Sequence, residues 1–247
     1  MGIEVFNRYE NKFLLDEETY EDIKEKLSDY MEQDEFNKSN GFYTISNIYY
    51  DTRDNHLIRS SLAKPKYKEK LRLRAYGVPE ENQKVYVEIK KKVCGLVNKR
   101  RTTLRLNEAY DFLSSGEKPE LKPYMNKQVL NEIEYFLDRY ELEPKLYLAY
   151  DRHAMFSKAC RDLRITFDTN IRTRRYDLKL EKGDYGESLL EPDVWLMEVK
   201  AENSIPLWLS KLLAEHKAYK TSFSKYGTEH KRMLMNTMRM RGERAYV

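Results

Sequence analysis

Lys68-Glu69-Lys70-Leu71-Arg72-Leu73-Arg74, followed closely by Val85-Tyr86-Val87-Glu88-Ile89-Lys90, decides the reading of this chain. Side chains on a strand alternate between its two faces. Lys68, Lys70, Arg72 and Arg74 therefore share one face, with Leu71 and Leu73 on the other. In the second run Glu88 and Lys90 share a face, opposite Val85, Val87 and Ile89. An ordinary solvated face would mix in Ser, Thr, Asn and Gln. A face of Arg, Lys and Glu suits a dense anion with a metal ion beside it.

The pattern recurs along the chain. Arg8, Glu10 and Lys12 share a face, as do Leu148, Tyr150 and Arg152. Arg164, Thr166 and Asp168 lie opposite Leu163, Ile165 and Phe167; Glu198 and Lys200 lie opposite Trp195, Met197 and Val199. One such strand alone reads as a plain solvated face. Several of them need cover for their apolar backs, and amphipathic helices on the outside can supply it. The expected fold is α+β: an antiparallel sheet closed into a barrel, its charged faces turned inward as a channel. Cations so close together repel unless a polyvalent anion lies among them. Arg offers phosphate a planar, two-pronged donor. Carboxylates beside a phosphate call for a divalent cation, so Glu10, Glu88 and Glu198 are candidate ligands for Mg²⁺ or Mn²⁺.

The elements follow from periodicity and capping signals. Strands are expected at Val5–Leu15, Tyr43–Asp51, Lys66–Tyr76, Lys84–Lys92, Leu96–Leu106, Lys145–Arg152, Asp162–Asp168 and Asp193–Ala201. Gly95 marks a turn between two of them. Asp16 caps a predicted helix reaching Met31, Asn107 a short one, and Asn126 a longer one carrying Val129, Ile133 and Phe136. Ser204 and Pro206 suit the start of another, and Thr228–Arg241, rich in Met, reads as a last helix.

The chain has 247 residues, and no linker or repeat divides it, so one domain over 1–247 is expected. Lys and Arg number 45 against 41 Asp and Glu, a net charge of +4. That near balance argues against a nucleic-acid partner. Cys94 and Cys160 read as free thiols, and 4 histidines leave little for a His-rich metal site. No apolar run is long enough to span a membrane, and the start of the chain has no signal-peptide core, so a cytoplasmic location is expected. No Walker A loop and no Ser/His/Asp or Cys/His set stands out, which sets aside P-loop kinases and acyl-transfer hydrolases.

At this point the ordered motifs resemble a known family. They are Arg8-Tyr-Glu-Asn-Lys-Phe13, Ile48-Tyr-Tyr-Asp-Thr52, Lys70-Leu-Arg-Leu-Arg-Ala-Tyr-Gly77, Val87-Glu-Ile-Lys90, Val97-Asn-Lys-Arg-Arg101, Tyr150-Asp-Arg152, Leu163-Arg-Ile-Thr-Phe-Asp-Thr169, Leu196-Met-Glu-Val-Lys200 and Ser222-Phe-Ser-Lys-Tyr226. Together they resemble the VTC-type polyphosphate polymerase domain, a branch of the CYTH-like triphosphate tunnel metalloenzymes. The resemblance implies a tunnel of about eight antiparallel strands. It implies that Arg72, Arg74, Lys90, Arg152 and Arg164 act on the reacting phosphates. Lys12, Lys99, Arg101, Lys200, Ser224 and Lys225 would bind the phosphate chain, and Glu198 would hold the metal, with Glu88 and Glu10 standing as candidates from the charge pattern. Arg8, where hydrolytic relatives carry a Glu, favours the polymerase branch. The implied activity moves the γ-phosphate of ATP onto inorganic polyphosphate and releases ADP. A tripolyphosphatase or nucleoside triphosphatase in the same tunnel, and a non-catalytic polyanion-binding module, stand as alternatives.

Overall fold

The computed structural model describes residues 9–35, 37, 41–94, 96–202 and 204–242. Arg8, the rest of the expected strand before Tyr9, and Gly95 lie outside the described residues. In chain order the elements are β1 (Tyr9–Leu15), α1 (Glu17–Leu27), β2 (Met31–Gln33), β3 (Tyr43–Thr52), α2 (His56–Leu62), β4 (Tyr67–Tyr76), β5 (Lys84–Val93) and β6 (Leu96–Arg105). Then come α3 (Leu106–Ser115), α4 (Lys127–Arg139), β7 (Leu142–Ser157), β8 (Arg164–Arg174), a short 3-10 turn (Leu180–Lys182), β9 (Glu187–Ser188), β10 (Trp195–Ala201), α5 (Leu207–Glu215), β11 (Lys220–Thr221) and α6 (Lys225–Met240).

Local chemistry explains most boundaries. Asp16 caps α1 by accepting from the Thr19 amide, and Asn126 caps α4 by accepting from Val129. Two helix expectations need correction. The helix after Asp16 stops at Leu27, and Met31 opens a short strand that pairs with β7. The helix placed after Asn107 starts two residues earlier, with Arg105 at its cap and Asn107 within its first turn. α2 was not foreseen: it has no side-chain cap of its own, and Asp51 from β3 accepts from the Leu57 and Ile58 amides instead.

The described strands form an 11-stranded sheet in the order β11-β1-β10-β8-β7-β3-β4-β5-β6, with β2 also on β7 and β9 on β8; all pairings are antiparallel. The closed barrel of about eight strands is therefore corrected. Among the described residues no backbone pairing joins the two ends, because the outer edge of β1 is taken by β11 while β6 pairs with β5. The sheet nonetheless rolls up. Lys90 of β5 stands 3.9 Å from Glu10 of β1, strands at opposite ends of the order. Long side chains thus span a seam that the backbone leaves open.

Apolar packing sets which face is outside. Leu71, Leu73, Val85, Val87 and Ile89 pack with α3 and α4 residues such as Phe112, Ile133 and Phe136. Phe13, Ile165, Phe167, Met197 and Val199 pack with Tyr20, Ile23 and Leu27 of α1 and Leu209 of α5. A third cluster differs. Ile45, Tyr49, Leu146, Leu148, Ile171 and Leu196 sit on the inner face and meet Ile58 of α2 and Tyr226 of α6. Part of the inner face is thus filled by an apolar plug, and the remainder is charged. Among the described residues no helix is long and apolar enough to cross a membrane.

Candidate phosphate-binding site

The register confirms the face assignment. Arg72 pairs with Glu88 and Tyr49, Arg74 with Tyr86 and Asn47, and Lys90 with Lys99. Across the sheet, Lys12 pairs with Glu198, Glu10 with Lys200, Lys200 with Arg164, and Asp168 with Arg152. Alternation thus brings most of the expected residues onto one concave surface.

They form two clusters. In the first, Glu88 is 1% exposed and receives three cations. Its oxygens lie 2.6 Å from Arg72 Nη2, 2.9 Å from Lys99 Nζ and 3.8 Å from Arg74 Nη1. Burial would raise the Glu88 pKa, but Arg74, Arg72 and Lys99 hold it well below the ordinary carboxylate value. Arg72 also donates to Tyr49 Oη at 3.1 Å, and Arg74 to Asn47 Oδ1 at 2.8 Å and Tyr150 Oη at 3.2 Å. Three cations on one acid leave a net positive, largely desolvated site. The cost appears on the lysines. Burial lowers Lys99 to about 7, opposed by Glu88 and reinforced by Arg72 and Arg74. Burial likewise pulls Lys70 down to about 8, with the partial anionic character of Tyr49 working against it and Lys90, Lys68 and Lys12 working with it.

In the second cluster Lys12 Nζ lies 3.3 Å from both Glu10 Oε1 and Glu198 Oε1. Glu198 also meets Lys200 at 3.2 Å, Lys225 at 3.4 Å and Arg152 at 3.6 Å. Burial would raise its pKa, and Lys225, Lys12, Lys200 and Arg152 together push it well down. Glu10 falls to about 2 against its own burial, chiefly through Lys200. Asp168, fully buried, accepts from Arg152 Nε at 2.6 Å and Nη2 at 2.7 Å, and from Lys225. It holds those two cations in place, as a fork-to-fork pair does.

Three expected residues sit apart from these clusters. Arg164 is held 3.3 Å from Asp34 and donates to Tyr43 Oη. Arg101 is exposed, with its guanidinium 4.7 Å over the Tyr86 ring. Ser224 caps α6 by accepting from the Gly227 amide at 3.2 Å, so its hydroxyl already has a structural task. Sequence reasoning passed over Tyr49, whose alternation with Asn47 on the strand facing Arg72 and Arg74 was the available signal. Burial raises its pKa, but Arg72, Lys70 and Arg74 outweigh that and bring it to about 8.

Glu10, Glu88 and Glu198 were each expected as candidate metal ligands. Glu10 and Glu198 do come together, both touching Lys12, whereas Glu88 belongs to the arginine cluster. Among the described residues no three His, Cys, Asp or Glu side chains gather into a cage. Two hard carboxylates on neighbouring strands fit Mg²⁺ or Mn²⁺ completed by phosphate oxygens, the usual arrangement where substrate brings most of the ligands.

A family model described as the VTC domain matches residues 7–234. A candidate adenylate cyclase of Bacillus halodurans shares the fold at TM-score 0.54 and 15% identity, over 90% of this chain and 96% of its own. HpAC1 of Hippeastrum, an adenylyl cyclase candidate with a dominant triphosphatase activity, aligns at TM-score 0.49 and 14% identity, over 96% of this chain and 98% of its own. No curated protein matches the chain.

Proposed function

The chain belongs to the VTC domain family, and from that premise we propose that it is an ATP-dependent polyphosphate polymerase using a divalent metal. The observation that carries this reading is the excess of positive charge at Glu88, where Arg72, Arg74 and Lys99 surround one buried carboxylate. Such a surplus is costly unless a polyanion fills it.

In this reading Arg72, Arg74, Lys90 and Arg152 hold and neutralise the reacting phosphates, while Arg164, held by Asp34 and Tyr43, flanks them. Lys12, Lys99, Lys200 and Lys225 line the path of the chain, with Arg101 outside it over the Tyr86 ring. Glu10 and Glu198 would hold the metal, which would supply charge neutralisation to the phosphates. The terminal oxygen of the polyphosphate forms a bond to the γ-phosphorus while the bond to the β,γ-bridging oxygen breaks, and ADP departs with that electron pair. The nucleophile is already anionic, so the protein needs no strong base, and catalysis is positioning plus electrostatics.

Incubation of the protein with labelled ATP and Mn²⁺ or Mg²⁺ tests the reading. Long, acid-stable chains sensitive to exopolyphosphatase are expected. ADP with free phosphate alone would assign a triphosphatase instead, and tight phosphate-chain binding without turnover would assign a polyanion-binding module.

A further inference from the structure

Beyond Arg74 the inner face changes character. Tyr76 follows it two residues on along β4, and Tyr86 faces it across β5. Tyr43, on the same face of β3, completes an arc. The ring centroids of Tyr43 and Tyr76 are 6.0 Å apart, and those of Tyr76 and Tyr86 are 5.8 Å apart. These spacings are those of interacting aromatic rings. An arginine stands at each end: Arg101 lies 4.7 Å over the Tyr86 ring, and Arg164 donates to Tyr43 Oη at 3.3 Å.

Tyr76 is 45% exposed, although Arg74, its neighbour on the same face of β4, is 6% exposed. A large ring left open next to two others, at the rim of a phosphate cradle, is a stacking surface without its partner. Strand geometry sets the scale. Residues two apart are separated by about 7 Å along a strand. A ribose and one phosphate bridge that distance, so a triphosphate lying on Arg72 and Arg74 can reach the arc with its base.

We propose that Tyr43, Tyr76 and Tyr86 form a nucleobase-stacking platform, with Arg101 and Arg164 as its cationic ends, for a nucleotide whose phosphates lie on Arg72 and Arg74. The proposal rests on the phosphate-binding reading of the arginine cluster and adds to it the side chains that seat the base. Stacking addresses the π-face that every base presents. The platform therefore favours nucleotides over inorganic triphosphate and purines over pyrimidines, with little difference between adenine and guanine.

The test compares two ligands by calorimetry: β,γ-imido-ATP, which does not turn over, and inorganic tripolyphosphate. Tyr76→Ala is expected to weaken the nucleotide about tenfold, the order of one lost base stack, and to leave tripolyphosphate within twofold of the parent. Tyr76→Trp is expected to restore or exceed parental nucleotide affinity. Unchanged tripolyphosphate binding also shows that each variant is folded. Equal losses for both ligands, or no loss for the nucleotide, would overturn the platform while leaving the phosphate site intact. A parent protein that binds neither ligand would overturn the phosphate site itself, and the platform with it.

Discussion

Replacing Glu88 by Gln keeps the shape of the side chain and removes the one negative charge among Arg72, Arg74 and Lys99. Taking one partner from a buried ion pair costs about 3–5 kcal/mol. Arg72 and Lys99 have side chains 22% and 38% exposed, so water can screen part of the repulsion and the lower end applies, about 3 kcal/mol. For a chain of this length 1 kcal/mol moves Tm by about 2–4 °C, which gives a fall of roughly 6–12 °C at low salt. Tripolyphosphate should then restore the missing negative charge. Its affinity for the variant should exceed that for the parent, roughly tenfold, so the Tm rise at saturating ligand should be larger in the variant. Differential scanning fluorimetry with and without the ligand measures both effects. The acid limb supplies a control. The folded-state pKa of Glu88 is depressed, so its contribution is present above about 4.5 and is lost as pH falls toward the folded value. The Tm gap between parent and variant should therefore close in acid. A variant as stable as the parent at neutral pH, or an equal ligand shift in both proteins, would refute the idea that Glu88 is a counter-ion in a cradle with surplus positive charge.

Arg72→Ala should reduce turnover at least a hundredfold with little loss of Tm, because Arg74 and Lys99 still compensate Glu88; retained turnover in a polymer-forming assay would remove Arg72 from the site. Glu198→Gln should abolish metal-dependent turnover while the protein stays folded, read by activity across a Mn²⁺ titration beside circular dichroism. Lys70→Met should stabilise the ligand-free protein by about 1–3 kcal/mol at pH 7 and weaken tripolyphosphate. The sign follows from its depressed pKa of about 8 against 10.5: between those values the unfolded chain binds more protons, so parental stability rises with pH and the advantage of the variant shrinks. Denaturation at pH 7 and pH 10 checks this, and an advantage independent of pH would contradict it. Ser224→Ala should cost about 1 kcal/mol through the lost α6 cap while turnover stays within a few-fold of the parent; a large loss of turnover at unchanged Tm would instead make its hydroxyl a phosphate contact.

The candidate site was legible to the extent that it depends on alternation. Arg72 with Arg74, Glu88 with Lys90, and Glu198 with Lys200 occupy the faces expected, because a residue's side of a strand follows from its parity alone. Partnership was less legible. Nothing local says that Glu88 serves two arginines and Lys99 while Glu10 and Glu198 share Lys12, since those choices depend on which strands become neighbours. α2 was missed for a related reason: its amide cap comes from Asp51, on the preceding strand rather than at the helix start. Ser224 looked like a phosphate contact in sequence and is a helix cap in the fold.

What the amino-acid order determined by itself was the set of charged faces, their apolar backs and the helices that cover them, because periodicity and capping are local. Tertiary structure alone decided that, among the described residues, the sheet rolls without a backbone pairing between its ends, with β11 on part of the edge of β1 and the Glu10–Lys90 ion pair across the seam. It also decided that α2 and α6 plug one part of the inner face with Ile58 and Tyr226. Edge pairing and end-plugging are contests among segments far apart in the chain. Their outcome depends on twist, stagger and packing volume, none of which a single strand's pattern contains.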